Sequence, residues 1–126
     1  MGADWIAVGE RPKLYFNSRT ITISSKGTLK VWLLQPADKE MIDKVKDMSL
    51  EERRSKKAPL RNVEDWGSTM TLAEFDCKER TSRPLEIQQY DKEGKPMDYY
   101  PCDYSMMGIA PGSLMEVLFE AVCRYK

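Results

Sequence analysis

The sequence predicts an α+β fold in which a curved antiparallel sheet of about six strands carries a helix on one face. Two observations predict it. Short segments of alternating apolar and polar residues, separated by turn residues, fill most of the chain, and one strongly apolar segment with helical spacing closes it. The chain has 126 residues, enough for one domain with a single core. A helix stripe and a sheet face of this kind bury each other in two layers.

The C-terminal helix is predicted to begin after Pro111 and Gly112, where Ser113 and Glu116 form a capping-box pattern. The apolar positions that follow are Leu114, Met115, Val117, Leu118, Phe119, Ala121, Val122 and Tyr125. They leave only a narrow polar edge, so the helix is expected to lie in a groove of the sheet.

Six or seven strands are predicted, joined by tight turns in an antiparallel meander. The segments are Asp4–Gly9, Leu14–Phe16, Thr20–Ser24, Thr28–Gln35, Ser68–Asp76, Arg83–Asp91 and Pro96–Tyr100. The fourth segment is the most apolar, which is typical of a central strand. In it Leu29, Val31 and Leu33 point to one face, and Trp32 and Leu34 point to the other.

The chain is predicted to be a single domain over residues 1–126, interrupted by a highly charged excursion at about residues 36–66. Thin helical periodicity and a second capping-box pattern from Ser49 to Glu52 indicate one or two loosely packed helices, or partial disorder. A basic cluster in this excursion suggests either a polyanion site or, as we favour, a solvated helix face. Its members are Arg53, Arg54, Lys56, Lys57 and Arg61.

Composition excludes several function classes. Acidic and basic residues are equal at 20 each, which argues against a nucleic-acid binder. The chain has no histidine, so histidine-dependent catalysis and histidine metal ligands are excluded. We predict no metal and no cofactor.

No apolar run approaches the roughly 20 residues that span a bilayer. The start, MGADWI, is not a signal peptide and is typical of a mature N-terminus, so an exported precursor is expected.

The three cysteines need an explanation. A bridge between Cys77, at a strand end, and Cys123, in the helix, would tie the two layers together. Closing about 45 residues would stabilise the fold by roughly 4 kcal/mol and would imply an oxidising compartment. Cys102 would then be a free thiol or an intermolecular link. A Cys77 thiolate activated by Lys78 and Arg80 is disfavoured without a histidine base, and a three-thiolate metal site is weaker still.

An ordered set of short segments carries a family resemblance. They are Asp4–Val8, Leu14–Asn17, Ile21, Gly27, Val31–Trp32, Glu74–Arg80, Ile109–Ser113 and Ala121–Cys123. On these segments the chain resembles the surface-adhesin protein E family of exported bacterial proteins. The resemblance implies a helix held across the concave face of the sheet by a Cys77–Cys123 disulfide. It also implies a location in the periplasm, at the outer membrane or on the cell surface. The family's namesake is an adhesin for host extracellular-matrix and serum proteins.

The expected function is a non-enzymatic binding module, monomeric or homodimeric, whose partner is a host matrix protein or an envelope protein. Candidate partner-binding residues are the aromatic cluster of Tyr99, Tyr100 and Tyr104. A C-terminal Lys126 is a further candidate, since lysine-binding domains of the plasminogen type capture such a group.

Two alternatives come from other function classes. A periplasmic small-ligand carrier would use the space between helix and sheet, but the wide apolar face of the helix is expected to fill it. A hydrolase would use paired carboxylates such as Glu74 and Asp76, which share one strand face. Acidic residues on strands are usually solvated, so the enzyme is the less favoured of the two.

Overall fold

The computed structural model describes residues 4–10 and 13–125, which form eight strands and three α-helices. The strands are β1 (Trp5–Glu10), β2 (Lys13–Asn17), β3 (Thr22–Ile23), β4 (Leu29–Pro36), β5 (Trp66–Asp76), β6 (Thr81–Asp91), β7 (Pro96–Pro101) and β8 (Met107–Gly108). The helices are α1 (Lys39–Lys46), α2 (Leu50–Ser55) and α3 (Leu114–Tyr125), and short 3₁₀ turns occupy Ser18–Thr20 and Val63–Asp65.

The strands form one open antiparallel sheet in the order β1-β2-β4-β5-β6-β7, with β3 beside β4 and β8 beside β6. The α+β class, the antiparallel sheet and the C-terminal helix are therefore confirmed. The strand predicted at Thr20–Ser24 is mostly replaced by the first 3₁₀ turn and the two residues of β3. The reason is local, because the Asn17 side chain accepts a hydrogen bond from the Arg19 N–H and the Thr20 hydroxyl donates to the Asn17 carbonyl.

Helix α3 packs on one face of the sheet, which we call the inner face, and forms the main core there. The buried residues of this core are Leu14, Phe16, Leu29, Val31, Leu33, Ala73, Phe75, Leu118, Phe119 and Val122. A disulfide joins Cys77, just after β5, to Cys123 in α3, with Cα atoms 5.7 Å apart. The bridge between helix and sheet is thus confirmed.

Helix α3 differs from expectation in the capping of its first turn and in the exposure of the side that faces away from the sheet. The Glu116 N–H donates to the Ser113 hydroxyl as predicted, but the Glu116 carboxylate accepts from the Gly112 N–H at 3.0 Å instead of the Ser113 N–H. The Ser113 N–H already donates to the Ala110 carbonyl. The helix is also less enclosed than expected, since the apolar residues Val117 and Tyr125 are each about half exposed (51% and 53%). The sheet buries only part of the apolar surface of α3.

Residues 37–65, which we call the helical connection, contain α1 and α2 and build a second, smaller core. Its buried residues are Val45, Ala58, Val63 and, from β5, Trp66. The Gln89 amide donates to the Lys57 carbonyl, and the Tyr100 hydroxyl donates to the Ala58 carbonyl at 2.9 Å. Gln89 and Tyr100 are registered beside Thr69 and Ile87 on the inner face. The helical connection therefore lies on the same face as α3, at the opposite end.

Candidate functional site

The middle of the inner face is open, because α3 covers one end and the helical connection covers the other. A cavity of about 540 Å³ lies there, bordered by the start of α3 and by β8. Its floor is formed by two rows of side chains from adjacent strands. One row is Leu33, Thr71 and Ile87, and the other is Gln35 and Thr69. Helix α3 does not fill this space, contrary to the sequence-based expectation.

The walls of the cavity are mostly apolar. Leu14 and Phe75 lie towards the main core, and Leu114, Met115 and Leu118 of α3 form one side. The floor therefore changes from apolar near α3 to hydroxyl and amide groups near the helical connection.

Among the described residues, Arg83 is the one charged residue that borders the cavity, but its pairing opposite Glu74 places its side chain on the other face of the sheet. Its guanidinium is already engaged elsewhere. Nε donates to Glu74 Oε1 at 2.8 Å, and Nη1 donates to the Tyr104 carbonyl at 3.1 Å. The cavity therefore offers no unengaged charge.

Sequence reasoning missed Gln35, Thr69 and Thr71 as cavity residues. The sequence did contain a signal for them. By strand alternation these three polar residues fall on the same face as the buried core residues, whereas Leu34, Met70 and Leu72 fall on the other face. Polar residues at core-facing positions indicate that the apolar core ends there.

The opposite face of the sheet, which we call the outer face, carries a registered row of mainly apolar side chains. From edge to edge the row is Ala7, Tyr15, Leu34, Met70, Gln88 and Tyr99. Trp32 and Leu72 are paired in the next row. Both helical layers contact the inner face, so no helix among the described residues covers this row. The large side chains of the row are half-buried, except for Tyr99, which is 53% exposed.

The three candidate tyrosines do not form one cluster. Tyr99 lies on the outer face, and its hydroxyl donates to Glu86 Oε2 at 2.8 Å, which raises the pKa of Tyr99. Tyr100 lies on the inner face, where burial raises its pKa. The Lys57 ammonium stands 5.8 Å from the ring centroids of both Tyr100 and Tyr104. The structure thus brings Tyr100 and Tyr104 together and separates Tyr99. Lys126 lies outside the described residues.

The candidate carboxylates are both engaged in local structure. Glu74 is only 8% exposed, and its Oε2 accepts from the Thr28 hydroxyl at 2.6 Å while Arg83 holds Oε1. The hydrogen bond from Thr28 and the neighbouring Arg83 hold the pKa of Glu74 below its ordinary value, against the opposing effect of burial. Asp76 Oδ1 accepts the backbone N–H groups of Lys78 and Glu79 at 3.1 and 3.0 Å. Both carboxylates therefore accept hydrogen bonds from within the chain.

The structure shows Cys77 in a disulfide and Cys102 as a free thiol. The Cys77 sulfur is in the disulfide, so the nucleophile and metal-ligand alternatives for Cys77 are wrong. Cys102 carries a free, half-buried thiol, and burial raises the pKa of that thiol. At neutral pH this thiol is therefore protonated and weakly nucleophilic.

The basic cluster is partly structural. The Arg53 guanidinium donates to three backbone carbonyls, those of Val45, Lys46 and Leu60, at 3.0 to 3.3 Å. These hydrogen bonds join the end of α1 to the segment that follows α2. Sequence reasoning missed this structural role of Arg53. Arg54, by contrast, is exposed.

One comparison with known proteins decides the family. A family model described as Surface-adhesin protein E matches residues 5–124. The chain belongs to the surface-adhesin protein E family. The match includes all strands from β1 to β8 and both disulfide cysteines. No curated protein and no solved structure matches this adhesin E chain. Family membership indicates an exported, adhesin-like protein. Among the described residues, no helix is both long enough and apolar enough to cross a membrane.

Proposed function

We propose that this adhesin E family member is a non-enzymatic protein-binding module of the bacterial envelope, and that its outer face binds the partner. The observation that carries the proposal is the registered row from Tyr15 through Leu34 and Met70 to Tyr99, left uncovered by the helices. Tyrosine, tryptophan and methionine are enriched at the centres of protein interfaces, where charged residues are depleted.

Charged side chains border this row without entering it. Lys30, Glu74 and Arg83 lie together towards one end of the outer face, and Glu86 lies beside Tyr99. An apolar centre with a charged margin is the arrangement that excludes water from the few residues that dominate binding. The expected partner is therefore a protein with an apolar patch, and family membership supports a host extracellular-matrix protein as the first candidate.

A non-enzymatic role is supported by what the candidate catalytic groups do. Glu74 is held by Thr28 and Arg83, and Asp76 accepts hydrogen bonds from the turn that follows it. The sequence has no histidine to act as a base at neutral pH. The disulfide supports an oxidising location, the periplasm or the cell surface.

The test measures binding of the purified protein to an immobilised extracellular-matrix extract and to an immobilised bacterial envelope extract. We expect saturable binding to one of them. Tyr99→Ala and Leu34→Lys should each weaken it about tenfold or more, because the first removes the exposed ring at one end of the row and the second places a charge in its middle. Lys44→Glu, an exposed change on α1, is the control and should leave binding within about twofold.

Circular dichroism and thermal unfolding first establish that each variant is folded. Two results would count against the proposal. One is the absence of saturable binding to either extract, and the other is binding that both outer-face variants retain unchanged.

A further inference from the structure

We propose that the cavity on the inner face is a binding site for an uncharged amphiphilic small molecule, with an apolar chain or ring system and a neutral hydrogen-bonding group. This goes beyond the proposed protein-binding function, because it concerns the opposite face of the sheet and another class of ligand. The ligand's apolar part lies against the α3 end, and its polar group lies towards the helical connection.

The shape of the inner face supports a small molecule. The two helical layers stand at opposite ends of the same sheet face, and the start of α3 and β8 border the open floor between them. Its volume, about 540 Å³, is within the range of roughly 300–1,000 Å³ that is typical of small-molecule sites.

The lining sets where each part of the ligand lies. Leu33 and Ile87 of the floor and Leu114 and Leu118 of α3 offer contact to an apolar body. Burying that body removes apolar surface from water on both ligand and protein, which favours binding.

The polar end of the floor offers hydrogen bonds without charge. Gln35 and Thr69 are directly paired across β4 and β5, and Thr71 is the next inner-face residue of β5. Their amide and hydroxyl groups both donate and accept, so they suit a hydroxyl, amide or ester group of the ligand.

The charge of the site excludes an anion. Arg83, the one charged residue that borders the cavity among those described, has its guanidinium on the outer face, where it donates to Glu74 and to the Tyr104 carbonyl. A charged group placed in the cavity would lose part of its hydration without gaining an ionic partner, which disfavours its binding. The site therefore selects neutral molecules.

The test compares two fluorescent probes that share one aromatic framework and differ in charge. N-phenyl-1-naphthylamine is neutral, and 8-anilino-1-naphthalenesulfonate carries a sulfonate. Titrated into the native, disulfide-bonded protein, the neutral probe should bind saturably at one site per chain with increased fluorescence. The anionic probe should bind at least tenfold more weakly.

Two substitutions on one strand separate the faces. Thr71→Phe places a ring into the cavity floor and should weaken binding of the neutral probe at least tenfold. Met70→Phe introduces the same ring one residue away on the outer face, and probe affinity should stay within about twofold. Thr71→Phe should leave binding to the immobilised extracts unchanged, whereas Leu34→Lys should leave probe binding unchanged. The cavity proposal and the proposed function can therefore fail separately.

A measurement on the unaltered protein keeps the test independent of how Thr71→Phe folds. Backbone amide NMR shifts induced by the neutral probe should concentrate at Leu33, Thr71 and Ile87. The proposal is overturned if the neutral probe does not saturate, if the sulfonate binds equally well, or if the shifts map to Tyr15 and Met70 on the outer face.

Discussion

The two ends of the inner face are held in different ways. At the α3 end, ten buried residues form an apolar core and the Cys77–Cys123 disulfide adds a covalent tie. At the other end, the smaller core has only four buried apolar residues, one of them Trp66 of β5. The helical connection also relies on side chains that donate to backbone carbonyls, chiefly those of Arg53, Gln89 and Tyr100. Because each layer is fixed to its own end of the sheet, neither extends over the middle, and the cavity remains.

The end held by the helical connection also has less complete hydrogen bonding of its buried polar groups. Gln89 is 1% exposed, and its side-chain oxygen has no hydrogen-bond partner among the described residues, although its amide nitrogen donates to Lys57. A buried, unpaired oxygen costs about 1–3 kcal/mol. The comparison indicates that the α3 end sets global stability and that the helical connection opens more readily.

The largest effect is expected from breaking the covalent tie at the α3 end. The double variant Cys77→Ser/Cys123→Ser should lower the free energy of unfolding by about 4 kcal/mol, because the disulfide closes a sequence separation of 46 residues in the unfolded chain. Urea unfolding of the oxidised protein and the variant measures the difference.

The free thiol provides the control for that variant. Cys102→Ser removes a half-buried sulfur whose one hydrogen bond among the described residues is weak, 3.7 Å to the Tyr100 carbonyl, so it should cost less than about 1 kcal/mol. If the double variant cost no more than Cys102→Ser, the α3 end would be held by its core alone.

A smaller and more local effect is expected at the helical connection. Arg53→Ala removes hydrogen bonds to the carbonyls of Val45, Lys46 and Leu60 and should destabilise this end by about 2 kcal/mol. Hydrogen exchange should then accelerate in α1 and α2 and remain unchanged in α3. Arg54→Ala is the matched control, and it should change exchange little because Arg54 is exposed. Equal acceleration in all three helices would show that the two ends open together.

The sequence was a good guide wherever one local pattern decides the structure. Leu29, Val31 and Leu33 are buried in the core, while Trp32 and Leu34 lie on the outer face, as their alternation predicts. The same alternation places Tyr99 and Tyr100 on opposite faces, so grouping them as one cluster overlooked a rule already in use. The disulfide followed from the positions of Cys77 and Cys123 at the ends of two elements that had to pack together.

Features that depend on how distant segments meet could not be predicted. In the sequence, Arg53 is indistinguishable from the other members of a basic cluster. Its structural role depends on the folded chain, which brings the carbonyls of Val45 and Leu60 to its guanidinium. The cavity arises in the same way. Its floor residues Thr69 and Thr71 are ordinary strand residues, and the space above them exists because two helical layers end short of each other.

The smallest effect tests whether the α3 end also depends on a polar network. Glu74 accepts from Thr28 and Arg83, and these contacts hold the pKa of its carboxyl below the ordinary value of 4.5. A lowered pKa in the folded state means that the carboxylate stabilises the fold at neutral pH. This contribution is lost as the pH falls below 4.5 and through the folded-state pKa. Glu74→Gln should therefore cost about 1.5 kcal/mol at pH 7 and should flatten the fall in stability with acid.

Urea unfolding of the native protein and Glu74→Gln over a series of acidic pH values measures both effects. Glu93→Gln is the control, because Glu93 is exposed and its contact with Lys95 is 3.8 Å long, so its curve should follow that of the native protein. If Glu74→Gln kept the native pH dependence, the Thr28–Glu74–Arg83 network would add nothing at the α3 end. The apolar core and the disulfide would then account for the whole difference between the two ends.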